Sequence, residues 1–301
     1  MTSRRQVIAG TLWPLLVRCS QHALASGALQ PIQTSPVFID DDGVRFVVRQ
    51  VSSLGRKAKE KRETNNPFLC YEEDLFVADI SPSHFALLNK FNVIEHHLLI
   101  VTRHFKEQEA LLTLADLQAL WACMAEFTGF GFYNGGAAAG ASQHHKHLQI
   151  VPLPLTDQGP AVPIEPLLAA ASVDETITTI PGLPFLHAYT RLDPMLVQRV
   201  RDAADVTLER YYAMLNAVGL SALRISGELR QSAPYNLLVT RNWMLLVPRS
   251  KEYFHSVSVN ALGFAGSLFV RDEEQMNVIS TAGPMKVLQQ VSCSEIPDCG
   301  D

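Results

Sequence analysis

Cysteine is scarce in this sequence and lacks the spacing of a structural framework. The 301 residues include five cysteines, and no two of them form a Cys-x-x-Cys pair. An odd number of scattered cysteines argues against a disulfide framework and against a zinc knuckle. The pattern is typical of free thiols in a reducing compartment, so we expect a cytoplasmic protein.

A strong excess of charge is also missing. The formal net charge is -5 and only 18% of the residues are charged, so the sequence predicts no basic field for nucleic-acid binding. No apolar run approaches the length of a membrane span, so we expect no membrane partner either. A site for a polyphosphate must therefore obtain its positive charge locally, from a few lysines, arginines and backbone N–H groups.

The N-terminus allows two interpretations. A Ser-Arg-Arg sequence at residues 3–5 precedes an apolar run, as in a twin-arginine export signal, but Arg18, Gln21 and His22 interrupt that run. The alternative, which we favour, is an amphipathic helix packed on the domain. Its apolar face would consist of Ile8, Leu12, Leu15, Leu16, Cys19 and Ala23.

Turn and capping signals divide the rest of the chain into elements. Thr113 and Asp116 form a capping box that predicts a helix, and Gly129 and Gly131 would end it. The other predicted elements are a hairpin at 38–51, strands Leu75–Ala78 and Leu98–Thr102, a helix from Asp193-Pro194 to Gly219, and a hairpin at 235–247. We expect a catalytic region at 1–185 and a second region at 186–295 packed on it. The alternative is that the two regions form one compact domain.

The segment GFYNGGAAAGASQHHKHLQIVPLPL at 131–155 holds the most informative residues. It predicts a strand, a loop of small residues, and a second strand. Alternate residues of a strand share a face, so His145, His147 and Gln149 point one way while the residues between them point the other. Glycines upstream allow backbone N–H groups to approach an anion closely. This arrangement favours a histidine nucleophile that attacks phosphorus beside an anion-binding loop.

The histidines allow two other interpretations. A zinc site at His144, His145 and His147 has no carboxylate or cysteine nearby to complete the metal's ligands. A structural interpretation, with the histidines satisfied at the edge of the core, suits a single histidine better than three beside a glycine-rich loop. We therefore expect no dedicated metal site.

The motifs resemble one family in order along almost the whole chain. His-x-His-x-Gln within QHHKHLQ, together with NNPF at 65–68, LLNKFNV at 87–93, LLIVTRHF at 98–105 and PYNLLVTRNWMLLVPRSKE at 234–252, is similar to the ATP adenylyltransferase (diadenosine-tetraphosphate phosphorylase) family. That family belongs to the branch of the histidine-triad superfamily that includes galactose-1-phosphate uridylyltransferase. The resemblance implies an α+β, histidine-triad-like fold with an antiparallel sheet and flanking helices.

The resemblance also implies roles for individual residues. His147 matches the nucleophile that takes up the adenylyl group, and His145 would orient its neighbours. Gln149 replaces the third histidine of the hydrolases and would hold phosphoryl oxygens without hastening hydrolysis. The residues implied in substrate binding are Lys57 (with Lys59 and Lys61 as alternatives), Asn89, Lys90, Asn134, Gly140, Ala141, Ser142, Gln143, Asn236, Thr240, Arg249 and Lys251. For the last four, a solvated hairpin edge is the alternative interpretation.

The implied reaction is phosphorolysis of diadenosine tetraphosphate to ATP and ADP, reversibly, through adenylyl-His147. Its partners would be the dinucleoside polyphosphate, ATP, ADP and phosphate, with Mg²⁺ or another divalent cation carried by the substrate. We expect a monomer or a weak homo-oligomer. The alternatives are transfer or phosphorolysis on another nucleotide or nucleotide sugar, a non-catalytic nucleotide-binding protein, and a hydrolase, against which Gln149 argues.

Overall fold

A computed structural model describes residues 7–51, 66–171 and 177–296. Its centre is an eight-stranded sheet in which every neighbouring pair is antiparallel, in the order β3-β4-β5-β7-β6-β11-β12-β8. These strands are β3 Phe76–Asp79, β4 His84–Leu88, β5 Leu98–Thr102, β6 Gly129–Gly135, β7 His147–Pro152, β8 Ala188–Arg191, β11 Tyr235–Val239 and β12 Trp243–Pro248. The predicted α+β fold with an antiparallel sheet and flanking helices is confirmed.

The remaining elements cover the sheet or project from it. Seven further strands are β1 Thr34–Asp41, β2 Val44–Val51, β9 Ala222–Ile225, β10 Glu228–Gln231, β13 Tyr253–Phe254, β14 Val257–Ser258 and β15 Ser267–Val270. The helices are α1 Leu12–Ser26, α2 Leu114–Glu126, α3 Glu165–Leu168, α4 Val200–Ala217, α5 Ala261–Phe264, α6 Glu273–Ala282 and α7 Pro284–Val291. Among the described residues, no helix is both long and apolar enough to cross a membrane.

Each face of the large sheet has its own core. On one face, Leu148 and Ile150 of β7 join a cluster with residues of α1, α2 and α4. On the other, Phe132 and Leu238 join a cluster with the β1-β2-β15 sheet and helices α5 to α7. The β1-β2-β15 sheet and helices α5 to α7 do not cover β4 and β5. The side chains of β4 and β5 on that face form a separate small cluster with Phe68. The β7 residues of that face therefore lie between a covered and a less covered part of the sheet.

The local signals predicted most elements, with corrections at their ends. The capping box of Thr113 and Asp116 is present at the start of α2, but the helix ends at Glu126, and Gly129 and Gly131 belong to β6. A Cβ on Gly131 would lie 2.8 Å from the side chain of Leu120, so the glycine lets the helix pack closely on the strand.

Two further helix predictions need correction. Ile8 precedes α1 and is 67% exposed, whereas Leu12, Leu16, Cys19 and Ala23 are buried as predicted. At Asp193-Pro194 a short 3₁₀ helix, Pro194–Gln198, comes first, and the non-helical backbone of Arg199 (φ −131°, ψ 75°) separates it from α4.

Candidate functional site

Strand β7 places the predicted catalytic residues on one face of the sheet. Gln149 pairs with Phe132 of β6, and His147 lies two residues earlier on the same side. The side chain of Lys146 points to the opposite face, where Nζ donates to Asp116 and to the Leu111 carbonyl, each at 2.7 Å. Regular strand begins only at His147, and His145 forms an isolated bridge with Glu107.

His147 has the properties of a neutral nucleophile. Its Nδ1 lies 2.9 Å from the His145 carbonyl, which can only accept, so Nδ1 carries the proton and Nε2 has a lone pair. No described residue hydrogen-bonds to that Nε2. Burial lowers the pKa of His147 to about 4, which keeps the ring uncharged at neutral pH. The edge contact of Phe68, with ring centroids 5.1 Å apart, limits the ring's rotation.

Two hydrogen bonds hold the ring of His145 in place. Its Nε2 donates to the Thr102 carbonyl at 2.8 Å, and its Nδ1 accepts from Asn66 at 3.1 Å. Since both ring nitrogens are in use, His145 is held in place, and its own carbonyl can hold the ring of His147. These bonds also leave no ring lone pair for zinc, and the described residues contain no group of three potential metal ligands.

A relay of hydrogen bonds orients the amide of Gln149. Asn89 Nδ2 donates to Nδ1 of His97 at 3.2 Å, and His97 Nε2 then donates to Gln149 Oε1 at 2.9 Å. Burial lowers the pKa of His97 to about 4, so it holds one proton, the one it donates to Gln149. With its oxygen occupied, Gln149 presents its NH₂ group as a donor. Asn89 thus acts through His97, and its predicted contact with nucleotide stays a prediction.

The glycine-rich loop is held down by the second half of the chain. Asn134 Oδ1 accepts from Asn236 Nδ2 at 2.8 Å and from the Ala261 N–H at 3.0 Å. Gly140 has a φ of +87°, and a Cβ there would lie 2.9 Å from the Val259 carbonyl oxygen. The loop therefore requires glycine at 140 both for its backbone conformation and for its packing.

The end of this loop is open to a ligand. Ala141, Ser142 and Gln143 line a cavity together with Glu107, Gln108, Glu109, Gly136, Ala137 and His144. Within the described part of the chain, no acceptor takes the backbone N–H groups of Ser142 and Gln143. Free N–H groups in a cavity can receive phosphate oxygens. The predicted contacts of residues 140–143 with phosphate and ribose remain predictions that this geometry favours.

Arg249 is positioned differently from the prediction. It is only 2% exposed, and its guanidinium donates to the carbonyls of Val291, Ala139, Lys251 and Val259 and to Asn236 Oδ1. These bonds use all five of its N–H groups. Arg249 and the fully buried Asn236 therefore support the loop from behind, and no N–H group of Arg249 is left for the substrate contact that the resemblance implies.

Thr240 lies at the turn that follows β11. Its hydroxyl accepts from the backbone N–H groups of Asn242 and Trp243, both at 3.1 Å, and so stabilises the turn between β11 and β12. It follows Asn236 by four positions, just beyond the end of β11, which places it about 13 Å farther along the sheet. The hairpin turn explains this threonine, and the substrate contact that the resemblance implies for it stays a prediction.

The remaining predicted cations differ in their positions. Lys251 is exposed, and its binding function stays a prediction. Lys90 forms an ion pair with Glu72 and lies over the Phe91 ring, with Nζ 5.6 Å from the centroid. Lys57, like its alternatives Lys59 and Lys61, lies outside the described residues.

Sequence reasoning missed several residues that organise the site. His97 could have been found, because a histidine opens the apolar strand that pairs with β7. Asn66 and Phe68 were visible within the NNPF motif, but nothing in the motif shows their contacts with the histidines. Gln108 gave no signal, since its contact with His147 spans 39 positions of sequence.

The comparisons with known proteins agree over both halves of the chain. A family model of the Ap4A (diadenosine tetraphosphate) phosphorylase N-terminal domain matches residues 2–170. A model of the ATP adenylyltransferase C-terminal domain matches residues 181–294.

Two curated proteins of Saccharomyces cerevisiae are similar in sequence. Diadenosine tetraphosphate phosphorylase 2 is 29% identical over 238 residues, 71% of each chain. Protein APA1 is 28% identical over 295 residues, 86% of this chain and 87% of that protein. The crystal structure of yeast Ap4A phosphorylase Apa2 superposes with a TM-score of 0.76 and 25% identity, covering 95% of both chains.

Proposed function

The chain belongs to the family of Ap4A phosphorylases with an ATP adenylyltransferase C-terminal domain, and from that membership we propose that it cleaves diadenosine tetraphosphate with inorganic phosphate. The products are ATP and ADP, and the reaction is reversible. The observation that carries the proposal is the ring of His147, which is neutral, has its Nδ1 proton committed to the His145 carbonyl, and has Nε2 free of described partners.

The first displacement transfers an adenylyl group to the enzyme. Nε2 of His147 attacks the α-phosphorus of the dinucleotide, the N–P bond forms, and the P–O bond to the bridging oxygen breaks. ATP leaves with the electron pair. The ring becomes positively charged while it keeps its Nδ1 proton, and the carbonyl of His145 stabilises that charge through the existing hydrogen bond.

The second displacement regenerates the histidine. An oxygen of inorganic phosphate attacks the adenylyl phosphorus, the N–P bond breaks, and its electron pair returns to Nε2, giving ADP. The NH₂ group of Gln149 donates to the phosphoryl oxygens in both steps. An amide has no titratable proton, so Gln149 offers no general base to water, which favours phosphorolysis over hydrolysis.

The loop and the cation neutralise the polyphosphate. Backbone N–H groups of Ser142 and Gln143 bind phosphate oxygens, and Lys251 contributes positive charge from the second half of the chain. Lys57 acts from the basic segment GRKAKEKRETNN. Mg²⁺ enters as part of the substrate, bound to the polyphosphate. We further propose that the protein acts in the cytoplasm as a monomer or a weak homo-oligomer. The scattered cysteines, none of which forms a Cys-x-x-Cys pair, favour that compartment.

Product analysis tests the proposal directly. The protein is incubated with diadenosine tetraphosphate, Mg²⁺ and labelled phosphate, and the nucleotides are separated by ion-exchange chromatography. We expect the label in ADP, unlabelled ATP as co-product, and loss of turnover by at least about 10³-fold in His147→Ala, because the nucleophile is removed. His22→Ala is the control, since that exposed histidine lies on α1, across the sheet from His147, and we expect it to retain turnover.

Other products would contradict the proposal in recognisable ways. Unlabelled ATP and AMP would mean hydrolysis and would refute the function given to Gln149. Labelled ADP from His147→Ala at the rate of the unmodified protein would mean direct attack by phosphate without an enzyme-bound adenylyl group.

A further inference from the structure

The ladder between β6 and β7 stops next to the nucleophile. Phe132 and Gln149 are the last paired residues of the two strands. Beyond them, Asn134 leads into the glycine-rich loop, and His147 begins β7. Two elements that must act on the same phosphate therefore diverge at this point without backbone hydrogen bonds between them.

The side chain of Gln108 fills this gap. Its Nε2 donates to the Asn134 carbonyl at 2.8 Å and to the His147 carbonyl at 3.2 Å, and its Oε1 accepts from the His147 N–H at 2.9 Å. The amide thus replaces the missing ladder bonds. It is 3% exposed, so these bonds are shielded from water.

Gln108 is itself fixed by its backbone. Its N–H donates to the His144 carbonyl at 2.7 Å, and its carbonyl accepts from the Tyr133 hydroxyl. The side chain therefore reaches the two strands from a rigid base. A hydrogen bond made from a fixed, buried donor sets a position more strictly than one made from a mobile surface group.

We propose that Gln108 is a positioning residue that sets the distance between the nucleophile His147 and the glycine-rich loop that begins at Asn134. It holds the backbone of both and touches no reacting atom. The gap requires an amide side chain. It presents two carbonyl acceptors and one N–H donor, and a neutral amide of this length can bond to all three at once. The consequence for catalysis rests on the proposed function, since displacement of a nucleophile by about 1 Å can cost 10²-fold in rate.

Gln108→Glu gives the sharpest test. A protonated carboxyl group can still accept from His147 and donate to Asn134, whereas an ionised one would face two carbonyl oxygens. We expect kcat of this variant to fall by about 10- to 100-fold as pH rises through a titration absent from the unmodified protein, with KM changed less than about threefold. Gln108→Met, which loses the hydrogen bonds but keeps the length, should have a low kcat at every pH.

Two controls separate positioning from general destabilisation. Gln198→Glu makes the same substitution at an exposed position and should leave kcat unchanged at all pH values. Thermal unfolding of each variant is measured across the same pH range. If the pH profile of Gln108→Glu matches that of the unmodified protein, or if kcat falls only in parallel with the folded fraction, the proposal is overturned.

A readout without turnover keeps this test independent of the proposed reaction. Histidine-selective ¹⁵N labelling follows the backbone amide of His147, assigned by its absence in His147→Ala. The carboxyl group of Gln108→Glu lies against that N–H, so its ionisation should move the amide resonance through a titration that the unmodified protein lacks. An amide resonance without that titration would refute the contact itself. If the titration is present but the unmodified protein cleaves no diadenosine tetraphosphate, the proposed function fails and the position of Gln108 stands.

Discussion

The histidines of the site are distinguished by which proton each one keeps. His147 donates Nδ1–H to a carbonyl, while His145 and His97 donate Nε2–H to an oxygen acceptor. Burial lowers the pKa of all three, so each exists as one neutral tautomer fixed by its acceptor. A single arrangement of protons therefore gives a nucleophilic Nε2 on His147 and a donating amide on Gln149.

The low pKa values predict an unusual acid limit of activity. In the proposed mechanism His147 reacts as the neutral ring, and its pKa of about 4 means that protonation begins to remove the nucleophile only near that pH. We expect kcat/KM to be nearly constant from pH 8 to about pH 5 and to fall below it, whereas an ordinary histidine would give an acid limb near 6.5. An acid limb at 6.5 in the folded protein would show that His147 is not held neutral by burial.

Stability must be followed in the same experiment. For His97 and His147 the folded pKa lies below the unfolded value of 6.5, so no stability is lost above pH 6.5. Between pH 6.5 and 4 the unfolded chain takes up protons that the folded protein does not, which costs about 1.4 kcal/mol per pH unit for each histidine. Near-UV circular dichroism at each pH gives the folded fraction by which the rates are corrected.

At the scale of elements, the sequence predicted what local patterns encode. The hairpin turn at Asp42-Gly43 and the capping box at Thr113 depend on residues close in sequence, and both are present. The predicted end of α2 was wrong because Gly129 and Gly131 allow close packing against Ile150 and Leu120, which lie on other elements. The same limit applies to the site: the alternation around His147 was readable, but the contacts of Gln108 and Arg249 are made across distant parts of the chain.

The start of α2 is connected to the catalytic strand by buried charge. Asp116 caps the helix through Thr113, and its carboxylate also contacts Lys146 Nζ at 2.7 Å and His84 Nε2 at 2.9 Å. Burial alone would raise the pKa of Asp116, but the Lys146 ammonium and His84 hold it well below its usual range. The backbone of the residue before the nucleophile is thereby tied to the opposite face of the sheet.

Asp116→Asn should destabilise the protein strongly. The variant leaves the ammonium of Lys146, whose side chain is only 3% exposed, without a counter-charge. Loss of one partner of a buried pair costs about 3–5 kcal/mol, measured as the change in the free energy of unfolding in urea. Adding Lys146→Met should recover part of that loss, because the unpaired charge is then removed.

Asp193→Asn is the matched control for that series. Asp193 also caps a helical turn, through the Met195 N–H, but it is exposed, and asparagine caps as well as aspartate. We expect a change below about 0.5 kcal/mol. Equal losses at 116 and 193 would mean that only the capping bond matters and that the buried ion pair contributes nothing.

At the scale of the whole molecule, the two halves of the sequence share one sheet. Strand β6 from the first half pairs with β11 from the second, and β8, β11 and β12 complete the sheet beyond it. The glycine-rich loop of the first half is supported by Asn236, Arg249 and the Ala261 backbone of the second. The proposed catalytic residues lie in one half, but the loop proposed to hold the substrate depends on both.

A fragment of residues 1–185 should therefore fail to fold. Without the second half, β6 loses its neighbour β11 and becomes an exposed edge strand. Phe130 and Phe132 also lose the C-terminal residues with which they form a hydrophobic cluster. We expect the fragment to bind a hydrophobic dye and to show no cooperative thermal transition, whereas the full chain unfolds in a single step.

Co-expression of 1–185 with 186–301 provides the control, since the shared sheet should form again from two chains. A fragment that unfolds cooperatively on its own would instead identify 1–185 as an independent domain, and the second half would then matter for the substrate alone.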